Sequence, residues 1–176
     1  SGGLVVAQAL RILDGFDLGK TPRSAMNGRA LHLITEAEKL AYADRNRYIA
    51  DPDFVAIPPG LLNKAYLRQR AQQIRWNSAL ENVKPGIPDS TIQAVHSDEE
   101  SIPLELPSTS HISIVDALGN AVAMTTSIED SFGSRIWVHG FLLNNQLTDF
   151  SFTPVEENRL VANRLEPGKR PRSSMA

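Results

Sequence analysis

Apolar residues recur at helical spacing through the first part of the chain. Val6, Leu10 and Leu13 predict a short buried helix over residues 4–13. A longer stripe predicts a second helix, which ends at Asp51 because the residue before a proline is pushed out of the helical region. The apolar stripe of this helix consists of Ala30, Ile34, Ala37, Ala41 and Tyr48. The charged residues that fall mostly off the stripe are Glu36, Glu38, Lys39, Asp44, Arg45 and Arg47.

A third helix is predicted from Leu61 to Ile74, after the rigid connector IPPG. Its charged residues favour exposure of one side, and the other side consists of Leu62, Ala65 and Gln69. Residues 84–107 then hold several prolines, a glycine and an acidic run, with weak periodicity. That composition predicts a loop or a mobile linker.

From about residue 109 the apolar pattern changes to a period of two, which is typical of strands. Two alternating runs are separated by DALGN, which can form a three-residue hairpin loop with Gly119 in the left-handed backbone region. Counting outward from that loop pairs Thr109 with Ser127 on the same face of the sheet. A two-residue loop would instead move Ser127 to the other face.

The order of these elements predicts the fold class. GFLLNNQL indicates another short strand that leads into a turn, and RLEPGKRPRSSMA indicates a loop. Helices followed by antiparallel strands predict an α+β fold. With 176 residues, of which 41% are hydrophobic, the chain is long enough for one domain with a hydrophobic core.

Composition excludes several classes of function. Eighteen basic and 20 acidic residues give a net charge of -2, which disfavours binding to nucleic acid or to an anionic membrane surface. No apolar run approaches the roughly 20 residues that cross a bilayer, so we expect no membrane contact by this segment. Zero cysteines exclude disulfides and thiolate catalysis, and the four histidines are scattered, so we expect neither a metal site nor a cofactor.

The hydroxyl side chains at the strand ends allow two interpretations, one structural and one catalytic. Serine and threonine favour strands and half-exposed sheet faces, so spacing alone favours a structural role for Thr109 and Ser127. A threonine becomes a nucleophile when a base lies beside it, and its own α-amine serves once the chain is cut immediately before it. A mobile stretch, then the small Ser108, then Thr109 at the start of a strand is the layout that such a cut requires.

Several blocks of the sequence resemble the gamma-glutamyltranspeptidases and the related cephalosporin and glutaryl acylases. Three blocks in the second part carry the resemblance, namely TSHISIVDALGNAVAMTTSIEDSFGSR, FLLNNQLTDFS and PGKRPRSSM. Two earlier blocks, SGGLVVAQALRILDGFDL and EAEKLAYADRNRYIADPDF, resemble the helical region that precedes the cleavage site in that family. The resemblance covers nearly the whole chain in the family's order.

The resemblance implies an Ntn-hydrolase fold, an αββα sandwich of two sheets between helical layers. Residues 1–108 would be the C-terminal part of the large-subunit region, with a mobile linker at 84–108. Residues 109–176 would be the N-terminal part of the small-subunit region. The two parts together would form one incomplete domain. Because both ends look cut, we expect a central fragment that spans the cleavage site.

The resemblance also implies a catalytic pair and a cleavage site. The bond between Ser108 and Thr109 would be self-cleaved, and the hydroxyl of Thr109 would attack the γ-glutamyl carbonyl with its own amine as the base. Ser127 matches the second hydroxyl of the family, which hydrogen-bonds the nucleophile. Water or an acceptor amine would then release the acyl group.

Four further residues match substrate-binding positions of the family. Gln146 and Asp149 match positions that hold the α-amino group of the substrate, where an acceptor and a carboxylate suit an ammonium. Ser173 and Ser174 match a pair near the substrate carboxylate. Without the resemblance, these segments indicate only a hydrogen-bonded turn and a polar loop. The neighbouring cations are expected to form a solvated face without a role, and they are Lys169, Arg170 and Arg172.

Glu129 departs from the family pattern. Well-studied transpeptidases carry asparagine there, and a carboxylate would repel a substrate carboxylate. The acylases fit this variation better. A second departure concerns residues outside this segment. The family's carboxylate-binding arginine would lie before Ser1, and its oxyanion-hole glycines would lie beyond Ala176. Because losing one oxyanion donor costs about a hundredfold in rate, we expect this segment alone to be nearly inert.

Three hypotheses follow. The first is a gamma-glutamyltransferase or glutathione hydrolase, with a γ-glutamyl compound such as glutathione as substrate and an amino acid, a peptide or water as acceptor. The second is a cephalosporin or glutaryl amide acylase. The third is a catalytically silent binding or structural relative. The expected partners also include the remaining segments of its own subunits, and resemblance alone suggests a periplasmic or secreted location.

Overall fold

The structure, a computed structural model, describes residues 2–21, 23, 27–88, 109–156, 158–173 and 175. Helices form the part before residue 89 and strands the part after residue 108, as the α+β prediction requires. Three helices lie in the first part, namely α1 (Gly2–Leu13), α2 (Gly28–Tyr48) and α3 (Lys64–Ala71). A 3₁₀ turn at Pro59–Leu62 precedes α3. Of the predicted linker, residues 84–88 form neither helix nor strand, and 89–108 lie outside the described residues.

The three helices pack around one apolar cluster, but α1 presents a different face from the predicted one. Val6 and Leu10 are 52% and 62% exposed, whereas Val5 and Ile12 are buried. The prediction is wrong at these two positions and correct at Leu13, which is buried, because α1 is apolar almost throughout and its composition does not select one stripe. The cluster consists of Val5, Ala9, Ile12, Leu13, Leu33, Ala37, Leu40, Ala41, Tyr66, Leu67 and Ile74.

The third helix, α3, is shorter than predicted and buries a different face from the predicted one. The side chain of Asn63 accepts hydrogen bonds from the amides of Ala65 and Tyr66, so it caps the helix and separates it from the preceding 3₁₀ turn. The predicted side is exposed at all three of its positions, Leu62, Ala65 and Gln69. Instead, the helix buries Tyr66, Leu67 and Arg70.

Four charged residues of α2 that were predicted mostly off its apolar stripe are buried, namely Glu36, Asp44, Arg45 and Arg47. The carboxylate of Asp44 accepts from Arg70 at 2.9 Å, from the hydroxyl of Tyr66 at 2.6 Å and from the amide of Gly86 at 2.8 Å. Burial raises the pKa of Asp44, and Arg70 acts in the opposite direction. Buried charges with this many partners tie α2 to α3 and to the segment that follows it.

The second part consists of three antiparallel strand pairs. The longest pair is a hairpin of β1 (Thr109–Val115) and β2 (Ala121–Ser127). Gly119 has a φ of 86°, and the amide of Asp116 donates to the carbonyl of Asn120, so the predicted three-residue loop is confirmed. The shorter pairs are β3 (Trp137–Val138) with β4 (Phe141–Leu142), and β5 (Val155–Glu156) with β6 (Arg159–Leu160).

Contacts near the end of α2 join the two parts of the chain. Arg170 donates from Nε and Nη2 to the buried carboxylate of Asp51, at 2.9 and 2.6 Å, and Arg172 donates from Nη1 to the carbonyl of Asn46 at 2.8 Å. The ammonium of Lys169 lies 5.9 Å from the centre of the Phe54 ring. The prediction of a solvated face is wrong for Lys169 and Arg172, which are buried because they find partners more than a hundred residues earlier in the chain. The Arg170 side chain is 67% exposed, although it pairs with Asp51.

Candidate functional site

The site begins with the two hydroxyls at the open end of the hairpin. Thr109 and Ser127 lie directly opposite each other in the register of β1 and β2, as predicted. The Thr109 hydroxyl donates to Ser127 Oγ at 2.9 Å. The amide of Glu129 donates to the same oxygen, also at 2.9 Å. With both acceptor positions of Ser127 Oγ used, its own proton is the remaining group for hydrogen bonding.

The same face of the hairpin carries a histidine that sequence reasoning did not single out. His111 lies two residues after Thr109, and its Nδ1 is 2.8 Å from the hydroxyl oxygen of Thr125. Its Nε2 is 3.0 Å from the hydroxyl oxygen of Ser113. The alternation of strand faces could have found it, because residues 109, 111 and 113 share one face.

Glu129 follows the hydroxyl pair in an uncommon conformation. Its φ is 74°, in the left-handed region that a residue with a side chain rarely adopts. Its carboxylate accepts a hydrogen bond from the Thr148 hydroxyl at 2.9 Å, and that hydroxyl also lies 2.9 Å from the carbonyl oxygen of Asn145. Such backbone strain is found disproportionately at functional sites. Thr148 was not predicted as a site residue, and its spacing alone gave no signal.

A 3₁₀ turn at Gln146–Asp149 brings two predicted residues to this end of the sheet. The side-chain nitrogen Nε2 of Gln146 lies 3.4 Å from the carbonyl oxygen of Ser127. This leaves the side-chain oxygen of Gln146 as the group that can accept from a ligand. Side chains three residues apart eclipse in a 3₁₀ turn, so Asp149 lies on the same side as Gln146. The turn is anchored to the hairpin, because the Asn145 side chain accepts from the amide of Asp130 at 3.0 Å.

Of the remaining predicted residues, the structure describes Ser173. Ser173 is half-buried in a recess beside Ile49 and Asp51, and its hydroxyl accepts from the amide of Met175 at 3.1 Å. Ser108 and Ser174 lie outside the described residues. The structure therefore brings together the hydroxyl pair, Glu129 and the turn that ends at Asp149, and it places Ser173 at the junction with the helical part.

Two exclusions apply to the part of the chain that the structure describes. It contains no group of three or more histidine, aspartate or glutamate side chains placed to hold a metal ion. None of its helices is long and apolar enough to cross a membrane. The site contains a hydrogen-bonded hydroxyl pair that also accepts from the Glu129 amide, and the Glu129 carboxylate is held by the Thr148 hydroxyl.

Comparison with known proteins identifies the family. The model of the gamma-glutamyltranspeptidase family matches residues 1–176. The chain belongs to this family. It is 41% identical over 186 aligned residues to the glutathione hydrolase proenzyme of Escherichia coli (strain K12), covering 100% of this chain and 30% of that relative. It is 34% identical over 179 residues to the Acylase ACY 1 proenzyme of Pseudomonas sp. (strain V22), covering 100% of this chain and 28% of that relative.

Similarity to a solved structure confirms the predicted fold. The cephalosporin acylase of Bacillus halodurans matches with a TM-score of 0.68 and 26% identity, over 96% of this chain and 26% of that one. The chain is therefore α+β and part of an Ntn-hydrolase sandwich. It spans about 30% of the length of the curated relatives that it matches. Because relatives named glutathione hydrolase and acylase both occur, family membership alone does not select the acyl group.

Proposed function

We propose that the protein containing this sequence transfers or hydrolyses the γ-glutamyl group of compounds such as glutathione, through an N-terminal threonine that self-cleavage exposes. The observation that carries the proposal is the 2.9 Å hydrogen bond between the hydroxyls of Thr109 and Ser127. The amide of Glu129 fixes the Ser127 oxygen from its other side. The similarity to glutathione hydrolase proenzymes supports the same assignment.

The first step of the proposed chemistry is cleavage between Ser108 and Thr109. The Thr109 hydroxyl attacks the Ser108 carbonyl, the carbon–nitrogen bond breaks, and an ester and a free amine replace the amide. Water then hydrolyses the ester, which leaves a carboxylate on Ser108 and restores the Thr109 hydroxyl. Residues 1–108 and 109–176 would thereafter belong to different subunits, together with further segments of each.

In the second step the new α-amine of Thr109 serves as the base. It takes the proton of the hydroxyl as the oxygen attacks the γ-glutamyl carbonyl, and it returns that proton to the departing amine. An ester between Thr109 and the glutamyl group remains. Water, an amino acid or a peptide then attacks this ester, which gives hydrolysis or transfer. Ser127 holds the nucleophilic oxygen in the direction of attack.

Substrate recognition is assigned to the residues around this pair. The carbonyl of Gln146 and the carboxylate of Asp149 would accept from the α-ammonium of the substrate, since both lie on one turn beside Ser127. Ser173 and Ser174 would donate to its α-carboxylate. No metal or cofactor enters the proposal.

An amide acylase of the same family is the second candidate. Glu129 stands where the resemblance leads us to expect asparagine, and its carboxylate is held by the Thr148 hydroxyl at 2.9 Å. The similarity to Acylase ACY 1 and to cephalosporin acylase supports this alternative. The third candidate is a silent relative that binds without turnover.

An assay of the complete protein distinguishes these functions. Intact mass shows whether the chain divides before Thr109, and γ-glutamyl and glutaryl p-nitroanilides report the acyl preference. We expect cleavage and a higher kcat/KM for the γ-glutamyl compound. A preference for the glutaryl compound would establish the acylase, and an uncleaved protein that is inactive on both would establish the silent relative.

A further inference from the structure

Asn163 is a buried amide that connects two separate segments of the second part. It is 1% exposed. Its Nδ2 donates to the carbonyl of Asp149 at 2.7 Å, and its Oδ1 accepts from the amide of Arg172 at 3.0 Å. Its own backbone carbonyl accepts from the amide of Ser151 at 2.9 Å. One side chain therefore fixes backbone groups on both sides of it.

The two connected segments are those to which substrate recognition is assigned. Asp149 ends the turn that begins at Gln146, and Ser173 follows Arg172 directly. The distance between an ammonium-binding carboxylate and a carboxylate-binding hydroxyl must match the substrate closely, because small misplacements of binding groups cost much of their effect. A planar amide with a donor at one end and an acceptor at the other sets such a distance.

Other contacts hold the segment at Arg172, so the Arg172 amide that donates to Asn163 is itself fixed in position. Arg172 is buried and donates to the carbonyl of Asn46 on α2. Lys169 is buried and donates to the carbonyl of Ala162, the residue before Asn163, at 2.7 Å. The segment at Arg172 is therefore held both from α2 and from Asn163. The side chain of Asn163 also donates to the backbone carbonyl of Asp149.

We propose that Asn163 is a positioning residue that sets the separation between the ammonium-binding turn at Gln146–Asp149 and the carboxylate-binding segment at Ser173. The inference rests on the proposed function for the roles of those two segments. Asn163 touches no reacting atom, so it acts on substrate binding through Asp149 and leaves the chemistry at Thr109 unchanged. An aspartate in its place keeps the acceptor for Arg172 but loses the donor to Asp149.

The test is Asn163→Asp in the complete protein, assayed with two anilides that differ in one group. The γ-glutamyl compound carries an α-ammonium and the glutaryl compound does not. We expect KM for the γ-glutamyl compound to rise by about tenfold with kcat nearly unchanged, and KM for the glutaryl compound to change by less than about threefold. An equal rise for both compounds, or a fall in kcat at constant KM, would overturn the proposal.

A matched control separates positioning from loss of stability. Gln8 is also a buried amide that donates to a distant backbone carbonyl, that of Leu61 at 2.8 Å, but it lies in the helical part. Gln8→Leu should lower Tm and leave both KM values unchanged. If Gln8→Leu reproduces the KM pattern of Asn163→Asp, general destabilisation explains both and the positioning role is wrong.

Hydrogen exchange keeps the inference testable where the proposed function itself fails, as it would if the unaltered protein turned over neither anilide. We expect Asn163→Asp to speed amide exchange in the peptide covering residues 147–151 and in the one covering 170–173, while residues 109–127 exchange as before. Unchanged exchange in both peptides would show that Asn163 does not fix these segments. That result would refute the positioning role independently of any activity.

Discussion

The hydroxyls of Thr109 and Ser127 form a hydrogen bond of 2.9 Å across two strands whose register is set by a three-residue loop. The partners are 18 residues apart in the chain, and the loop length alone decides that they share a face. The Glu129 amide donates to the same Ser127 oxygen, so the orientation of this hydroxyl is determined from two directions. Several measurements can test whether this pair is catalytic.

Ser127→Ala removes the hydroxyl opposite Thr109 and leaves the strands intact. We expect kcat to fall by about tenfold to a hundredfold, because the Ser127 oxygen orients the attacking hydroxyl and a misplaced reacting group costs up to about a hundredfold in rate. Steady-state kinetics with the γ-glutamyl anilide measures the effect. Ser127→Thr keeps the hydroxyl and should retain most of the activity, so equal losses in both variants would argue against a role for the hydroxyl.

Thr109→Ala removes the group that is proposed to attack the preceding carbonyl. The complete protein carrying this change should stay as one polypeptide, because the proposed cleavage requires the Thr109 hydroxyl as its nucleophile. Intact-mass spectrometry after prolonged incubation without added protease measures this. Thr109→Ser is the control and should still divide, although more slowly. A divided Thr109→Ala protein would show that another protease or residue makes the cut.

Glu129→Asn removes a negative charge two residues after Ser127 in the chain. We expect a lower KM for γ-glutamyl compounds, because the carboxylate repels the substrate carboxylate. Asparagine also tolerates the left-handed backbone at this position better than glutamate does. Glu129→Gln is therefore the matched control, since it removes the charge and keeps the longer side chain. A raised KM in both variants would indicate that Glu129 faces the substrate ammonium instead.

Gly133→Ala should destabilise the loop that supports the turn at Gln146. A Cβ at Gly133 would collide with the backbone carbonyl of Leu143, and the φ of 51° already disfavours a side chain. We expect a loss of more than about 1 kcal/mol in the free energy of unfolding, measured by urea denaturation. Gly140 also has a positive φ, of 92°, but open space surrounds it, so Gly140→Ala adds backbone strain without a collision and should cost less. Equal costs would mean that backbone strain alone explains the effect.

Asp51→Asn tests the contact between the two parts of the chain. Hydrogen bonds from Arg170 hold the pKa of Asp51 below its ordinary value. A group with a lowered pKa stabilises the folded state above its unfolded pKa of about 3.9, and this contribution is lost as pH falls through the folded value. The difference in Tm between the unaltered protein and Asp51→Asn should therefore be full at pH 7 and shrink below about pH 4.

A surface ion pair offers the control for that experiment. Arg11 and Asp14 lie 3.4 Å apart with side chains 60% and 62% exposed, and water screens such pairs. Asp14→Asn should therefore change Tm little at any pH. A difference in Tm for Asp51→Asn that stays constant down to pH 2 would mean that the loss of the charge is not the cause.

Local rules made the hairpin predictable. Alternation assigned the faces of both strands, and Gly119 marked the loop, so the pairing of Thr109 with Ser127 followed from counting. No comparable rule selects a face of α1. Apolar residues fill nearly all of its positions, so either Val5 or Val6 could belong to the buried stripe, and only packing against α2 and α3 decides between them.

Long-range polar contacts could not be predicted from the pattern. Arg170 meets Asp51 across 119 positions of sequence, and Asn163 reaches Asp149 and Arg172 from a segment without regular periodicity. A charged or amide side chain gives the same local signal whether it faces water or a distant partner. The tertiary arrangement alone determines which of the two it meets.

The proposed cleavage would turn the ion pair between Asp51 and Arg170 into a contact between two polypeptides. Its two residues lie on opposite sides of the bond between Ser108 and Thr109, so after division they would belong to different polypeptides. This sequence holds no cysteine, so no disulfide can join residues 1–108 to residues 109–176. The hydrogen bonds from Arg170 to Asp51 and from Arg172 to Asn46 would form before the chain divides, and they would then hold the two polypeptides together.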